Sequence, residues 1–474
     1  MRKEHDPLGD MMLPDSVYYG AETERNRQAL AANEDTLDRY PVYVKAVAQI
    51  KKACAMANKE IGALDGTKAD AIMQACDEMI AGRFAGNFPV CIYRGSGTPF
   101  NMAANEVLAH RANEILTGDR NSGGVHPNTH VNMCQSSNDV IPTAKGFVVH
   151  EELGKTIDAA GILAASLERK AEEYKDVVKL GRTCLQDAVP ITLGQEFGAY
   201  AAGIRRMIGR LKQERENWNT DIMGATAIGT GMGCMPGFRA AIHKKLSQVL
   251  GREIRCAGNL IDAQQAMDGM ILAHAHLQAL AVLVWKIGRD VRTMTSGPRA
   301  GLADIVIPPV QPGSSIMPGK VNPVIPEMVN MTCDQVSANH AGLAFGAHAG
   351  YLELGSSSAL PVKAVMDSAD LLSRTMVIFA TRCIDGIAAN AERCREKAER
   401  SIALSTMVSA LFGYEVGTRI AKRAIEAGIT CKEAAIEEKL LPPEAIEDLF
   451  DLRNLVDPDK MEGLFAKYAP YRKV

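Results

Sequence analysis

The sequence has no run of about 18 consecutive apolar residues, the length a membrane-spanning helix needs. Its most apolar stretch, residues 269–285, is interrupted by His274, His276 and Gln278 and reads as a buried core helix. Two positions apart on a helix, those histidines do not face each other, which disfavours a metal pair. A strong charge balance is also missing. The 53 Lys and Arg against 56 Asp and Glu leave a net charge of −3, and no basic run marks a nucleic-acid surface. The eleven cysteines are scattered, with no CxxC pair and no Cys/His cluster at zinc spacing. The opening MRKEHDPLGDMM is charged and lacks the apolar core of a secretory signal. The expectation is therefore a cytoplasmic protein with reduced thiols, no metal, no nucleic acid and no membrane. Ser/His/Asp triad order, a nucleophile elbow and a glycine-rich dinucleotide fingerprint are absent as well.

Aromatics are only 5% of the 474 residues, and long stretches lack strand-like alternation. Between 151 and 178, Leu153, Ile157, Ala160, Ala164 and Leu167 recur at alternating four- and three-residue steps, one face of a long helix. Residues 260–294 predict another helix, apolar nearly all round and so surrounded by others. Residues 328–345 and 363–390 add two more. The fold class is all-α, a bundle of long helices joined by Gly/Pro-rich loops. Turn signals near the start, a proline-rich segment at 300–323 that cannot be helical throughout, and turns in the last 75 or so residues break this pattern. They divide the chain into an N-terminal domain (1–140), a central helix-bundle domain (141–397) and a small C-terminal helical domain (398–474).

Four loops carry chemistry. Residues 313–323, GSSIMPGKVNP, place two serines, a lysine and an asparagine among glycine and proline. A phosphate loop needs Gly, four residues, Gly-Lys and then Ser or Thr; here five residues intervene and Val321 follows Lys320. An ordinary surface loop is the bland alternative. Against it, long irregular loops in packed domains tend to be functional, and a serine surrounded by cations and backbone N–H groups can act as a base. The second loop, QSSND at 135–139, offers hydroxyls and amides for a carboxylate, with Ser137 or Asn138 serving equally well as a helix N-cap. The third is GSGTPFN at 95–101, and the fourth is GRTCLQDAVP at 181–190. Together they supply neutral donors and one obvious loop cation, Lys320. That chemistry suits a small anion, with acid–base work left to a serine or a carboxylate such as Glu327.

These motifs resemble the aspartase/fumarase superfamily. GSSIMPGKVNP is similar to its signature loop. GSGTPFNMAANEV, HPNTHVNMCQSSNDVIPTA, GRTCLQDAVPITLGQEF, GATAIGTGM and SGPRAGL follow in the family's order and spacing. Within the superfamily the resemblance is greatest to aspartate ammonia-lyases. It implies a homotetramer with a 20-helix core, five helices from each subunit, and active sites assembled from loops of three subunits. The implied reaction is anti elimination across a Cα–Cβ bond, through an aci-carboxylate dianion, without a cofactor. Position by position, it makes Ser314 the catalytic base and Ser315 a substrate contact. Lys320, Asn322 and Thr183 would hold one carboxylate. Thr98, Ser136, Ser137 and Asn138 would hold the other and the leaving group. Glu327 corresponds to a glutamate that pairs with a histidine.

Where the family has that histidine, this chain has Cys184, a weak hydrogen-bond donor and a poor proton shuttle. This disfavours fumarate hydratase chemistry and leaves Glu327 without its expected partner, free to face the leaving group. Pro99-Phe100 replaces small polar residues, and an aromatic there could stack on a cationic amine. The serine run in GYLELGSSSALPV, 350–362, also departs from the family. The resulting expectation is a carbon–nitrogen lyase with L-aspartate as default substrate. The alternative is release of another or alkylated amine, such as trimethylamine from a betaine like ergothioneine. A catalytically silent scaffold, as in lens crystallins, could have lost Ser314, Lys320 or Asn322; all three are present.

Overall fold

The computed structural model describes residues 1–95, 97–355 and 358–471. Ser96 of the third donor loop, and Ser356 and Ser357 of the serine run, lie outside them. The chain is all-α, 64% helical, and the strands among the described residues form only two-stranded pairs. The periodic stretch at 151–178 belongs to a longer helix, Ser137–Glu173. Leu153, Ile157, Ala160, Ala164 and Leu167 are all buried along it, as their spacing predicts. Pro142 sits inside this helix near its start. Proline has no N–H to give the carbonyl four residues back, which is that of Asn138. The Gln264 amide fills the gap: its Nε2 donates to Asn138 O at 3.0 Å and to Thr226 O at 2.7 Å.

The helix expected over 260–294 is instead two helices, Leu260–Gln265 and Asp268–Met294. The break has a tertiary cause. The Gln264 carbonyl is taken by the Gly355 N–H at 3.0 Å, and Ala266 turns extended. By length and mean hydropathy, Asp268–Met294 is the one helix among the described residues that could cross a membrane, and 44% of its most apolar window is buried. Met270, Ala273, Leu277, Leu280, Val284, Ile287 and Val291 line a buried stripe along it, whereas Leu272 and Val282 stand more than half exposed. In the single chain this helix is thus covered on one face, not all round. His274 and His276 have separate partners. His274 bonds to Ser368 Oγ and to the His340 ring, while His276 bonds to a backbone carbonyl. The helices expected at 328–345 and 363–390 run over Val324–Ala347 and Leu360–Arg382. Residues 300–323 contain no helix, as their prolines require.

The chain divides into two units. The first comprises residues 1–158, 207–281 and 333–373; the second comprises 159–206, 282–332 and 374–474. The first unit's core includes Tyr43, Ile50, Phe88, Phe100, Val107, Leu108, Phe147 and Phe238. In the second, short helices from Ala391 onward pack Leu404, Leu411, Phe412, Ile420, Leu449 and Tyr468 together with Val178 and Leu180. A buried acceptor stripped of its donor costs about 1–3 kcal/mol. Gln264→Leu strips two at once, so it should lower unfolding stability by at least that amount in a denaturant titration; an unchanged midpoint would show that neither bond matters.

Candidate active site

Thr98, Ser136, Ser137 and Asn138 all fall in the first unit. Thr98 begins the helix Thr98–Thr117, behind Gly97, and is exposed. The other three form the start of the helix Ser137–Glu173. Its N-cap is Ser136, one residue before the positions expected. Ser136 Oγ accepts from Asn138 N–H at 3.2 Å, and its own N–H donates to Asp139 Oδ1 at 2.9 Å, a reciprocal cap of the capping-box kind. Asn138 Nδ2 donates to Ala227 O at 2.9 Å. Ser137 is left on the half-buried side, its Oγ accepting from Asn101 Nδ2 at 3.0 Å.

Asp139 is fully buried, and its second oxygen accepts from the backbone N–H groups of Gly224 and Thr226 at 3.2 and 2.9 Å. It therefore ties the GATAIGTGM segment to the donor-bearing helix start. Burial pushes its pKa up to about 7, against the pull of those backbone donors and the Lys51 charge. Thr226 holds φ at 58°, in the left-handed region that a non-glycine residue avoids.

Phe100 is not an amine-stacking residue. It is fully buried and meets Tyr43 and Phe88 edge-on, with ring centroids 4.8 and 6.0 Å apart. Phe100, Ala103, Ala104, Val107 and Leu108 are all buried, so the ring belongs to the apolar stripe of its helix.

Thr183, Cys184, Ser314, Ser315, Lys320, Asn322 and Glu327 fall in the second unit. The segment GRTCLQDAVP is a β-hairpin. Strands Val178–Thr183 and Gln186–Thr192 pair with Thr183 opposite Gln186, leaving Cys184 and Leu185 as a two-residue turn. Both have positive φ, 53° and 63°, as a type I′ turn demands. Neither is glycine or asparagine, so the tip stores about 1–2 kcal/mol of strain per residue. Strain of this kind persists where the surroundings over-determine it, often at functional sites. A hold lies next to the tip: Arg182 bonds to the buried Asp304 carboxylate at 3.0 Å, and Lys397, from a helix outside the hairpin, bonds to the same carboxylate at 2.8 Å. Thr183 and Cys184 are exposed at the tip.

The 313–323 loop closes on itself. Gly313 N–H donates to Lys320 O, and Asn322 Nδ2 donates to Gly313 O, both at 2.9 Å. A Cβ on Gly313 would fall 2.5 Å from Lys320 O, so the closure requires glycine. Inside the turn, Ser314 Oγ accepts from the N–H groups of Met317 at 3.0 Å and Ile316 at 3.3 Å. Two converging backbone donors stabilise negative charge on that oxygen. Ser315 and Lys320 are exposed, and no carboxylate pairs with Lys320 among the described residues. The loop thus gathers Ser314, Lys320 and Asn322. No hydrogen bond or ion pair among the described residues joins it to the Thr183–Cys184 tip.

Glu327 lies in the first turn of Val324–Ala347. It is not left unpartnered: Arg292 approaches to 3.7 Å and also bonds to Asn330. This contact is loose and partly exposed, a geometry that contributes little to stability. Sequence reasoning assigns no role to Lys51, Asn101, Asn132 or Asp139. Asp139 was legible as the fourth residue of a Ser-x-x-acid cap. Lys51 was not, because a lysine on a helix ordinarily marks the solvent face.

The family pattern described as "Lyase" matches residues 9–338, and that described as "Fumarase C C-terminus" matches 404–457. The chain is 40% identical to an aspartate ammonia-lyase of Helicobacter pylori, over 97% of this chain and 98% of that one. It is 39% identical to a class II fumarate hydratase of Campylobacter jejuni, over 98% and 99%. The solved structure of a fumarate lyase:delta crystallin from Brucella melitensis bound to cobalt superimposes with a TM-score of 0.93 at 41% identity, covering 96% of this chain and all of that one.

Because the folded Asp139 pKa lies above the ordinary carboxyl value, the folded chain holds a proton that the unfolded chain has released. Its contribution to stability is full below a pH of about 4 and is lost as pH rises toward 7. Asp139→Asn cannot titrate and keeps one acceptor oxygen. It should lower stability by about 1–3 kcal/mol and flatten the decline across that window, measured by denaturant unfolding at several pH values. An unchanged slope would contradict the assignment.

Proposed function

The chain belongs to the aspartase/fumarase superfamily and is a lyase, and from that premise we propose that it eliminates an amine from an amino-acid substrate, with L-aspartate converted to fumarate and ammonia as the default reaction. The observation that carries this is the Ser314 hydroxyl, which accepts two backbone N–H groups in a loop that also bears Lys320. An alkoxide there is stabilised before substrate arrives, as a base for a weakly acidic carbon requires.

In the proposed reaction Ser314 removes a Cβ proton, and the electron pair moves into the adjacent carboxylate to give an aci-carboxylate dianion. Lys320, Asn322 and Thr183 hold one carboxylate, with Ser315 beside them. Thr98, Ser136, Ser137 and Asn138 hold the other carboxylate and the amine. Collapse of the dianion forms the double bond and expels the amine from Cα. Fixed donors are worth most where charge grows during reaction. The exposed Leu272, Val282, Met331 and Phe345 on two long helices support burial against further copies, and so a homotetramer with active sites shared among subunits.

A betaine substrate loses one support, because Phe100 lies in the core; another amine as leaving group remains compatible with Cys184 and with Glu327 against Arg292. Fumarate hydration is the reading of the Campylobacter relative's name, and Cys184 in the histidine position argues against it. Incubation with L-aspartate should raise fumarate's ultraviolet absorbance. Ser314→Ala should lower turnover at least about 100-fold; near-full activity would overturn the base assignment. Cys184→His should shift preference among aspartate, other amino acids and malate. An unchanged preference would make Cys184 mere lining of the pocket.

A further inference from the structure

Beneath Ser137 lies a chain of hydrogen bonds whose polarity is fixed at one end. Lys51 is fully buried in the helix Pro41–Glu60. Its ammonium donates to Asn132 Oδ1 at 2.9 Å and to Gln135 Oε1 at 2.8 Å. An ammonium has donors only, so both amides must turn their oxygens toward it. Gln135 Nε2 then donates to the carbonyls of Val131 and Met133, and Asn132 Nδ2 to that of Gln135.

Asn132 Oδ1 also accepts from Asn101 Nδ2 at 3.1 Å, and the same Asn101 NH2 group donates to Ser137 Oγ at 3.0 Å. The opposite face of Asn101 records what this orientation costs. Its Oδ1 is buried with no hydrogen-bond partner, a destabilising state for a buried acceptor. Turning the amide over would not relieve it, because Asn101 Oδ1 would then oppose the Asn132 oxygen that Lys51 holds in place. With an N–H already on its oxygen, Ser137 keeps its single O–H as a donor, and no acceptor among the described residues takes it.

We propose that Lys51, Asn132 and Asn101 form a polarity relay that presents the Ser137 hydroxyl as an obligatory hydrogen-bond donor to a substrate carboxylate. These three are positioning residues: they act through Ser137. The inference rests on the reading of Ser137 as a carboxylate contact in a lyase. Burial holds the Lys51 pKa at about 8, so the ammonium remains the main form at neutral pH.

The test is a double-mutant cycle read on the inhibition constant of succinate and on KM and kcat separately. Ser137→Ala should raise the succinate constant about five- to tenfold, the worth of one good hydrogen bond. Asn101→Leu should raise it in the same direction, with KM moving more than kcat. In the Ser137→Ala background, Asn101→Leu should add nothing. Equal effects of Asn101→Leu with and without Ser137 would overturn the relay, since a merely structural role is indifferent to that hydroxyl. If Asn101→Leu does not fold, the same cycle is run with Lys51→Gln and Lys51→Met. Gln keeps a donor and should retain tighter succinate binding than Met, and equal constants would overturn the relay. If Ser137→Ala leaves succinate inhibition unchanged, the substrate contact itself is wrong and the relay falls with it.

Discussion

A single buried carboxylate organises the start of the long helix, where Ser136, Ser137 and Asn138 stand. Asp139 accepts the N–H of Ser136 on one oxygen and those of Gly224 and Thr226 on the other. Through these bonds it fixes the N-cap, and therefore the direction in which Ser137 and Asn138 leave the helix. It also draws in a glycine-rich segment some 85 residues away in sequence. Gln264 completes the arrangement from the other side, through the carbonyls of Asn138 and Thr226. Proline inside the helix, strained φ at Thr226 and a carboxyl lifted to a pKa of about 7 are three local costs. Each is tolerated because the surrounding bonds over-determine the geometry.

The same economy governs the chemistry. In the proposed reaction a dianion is held mainly by neutral donors, with Lys320 as the loop cation. Neutral donors discriminate by direction, so their orientation must be set in advance. Ser314 obtains its orientation from two backbone N–H groups in a closed turn, Ser136 from the helix cap, and Ser137 from an asparagine whose own carbonyl is left unsatisfied. The strained Cys184–Leu185 turn is anchored through Arg182, two residues before it, by an ion pair with the buried Asp304. Rigidity at these points is what a pocket of weak, directional contacts requires.

The long helices were legible because a four- and three-residue apolar rhythm needs only local sequence, and Leu153 through Leu167 are buried as that rhythm demands. The break near Ala266 was not legible, since its cause is a carbonyl captured by Gly355, far along the chain. The donor loops stood out through their glycines, prolines and hydroxyls. Phe100 was misread for an instructive reason. Its neighbour Thr98 suggested a site residue, whereas its spacing to Ala103, Ala104 and Val107 pointed inward. Lys51 left no local mark, and Asn101, though it closes a donor loop, gave no sign of its role, because a buried polar network is defined by its partners. Cys184 changed meaning most. It is neither a core thiol nor part of a cluster but the exposed tip of a hairpin that favours a residue tolerant of positive φ.

We propose, as the centre of this reading, that Ser137 and Ser314 serve one reaction from separate copies of the chain. Mixing decides it. Ser137→Ala and Ser314→Ala assemblies, the first weakened in substrate affinity and the second nearly inactive, are dissociated together and reassembled. Random hybrids should gain a component of wild-type substrate affinity amounting to roughly a quarter of the wild-type activity, because that fraction of sites draws both intact residues from different subunits. Absence of that component in demonstrably mixed assemblies would contradict the account.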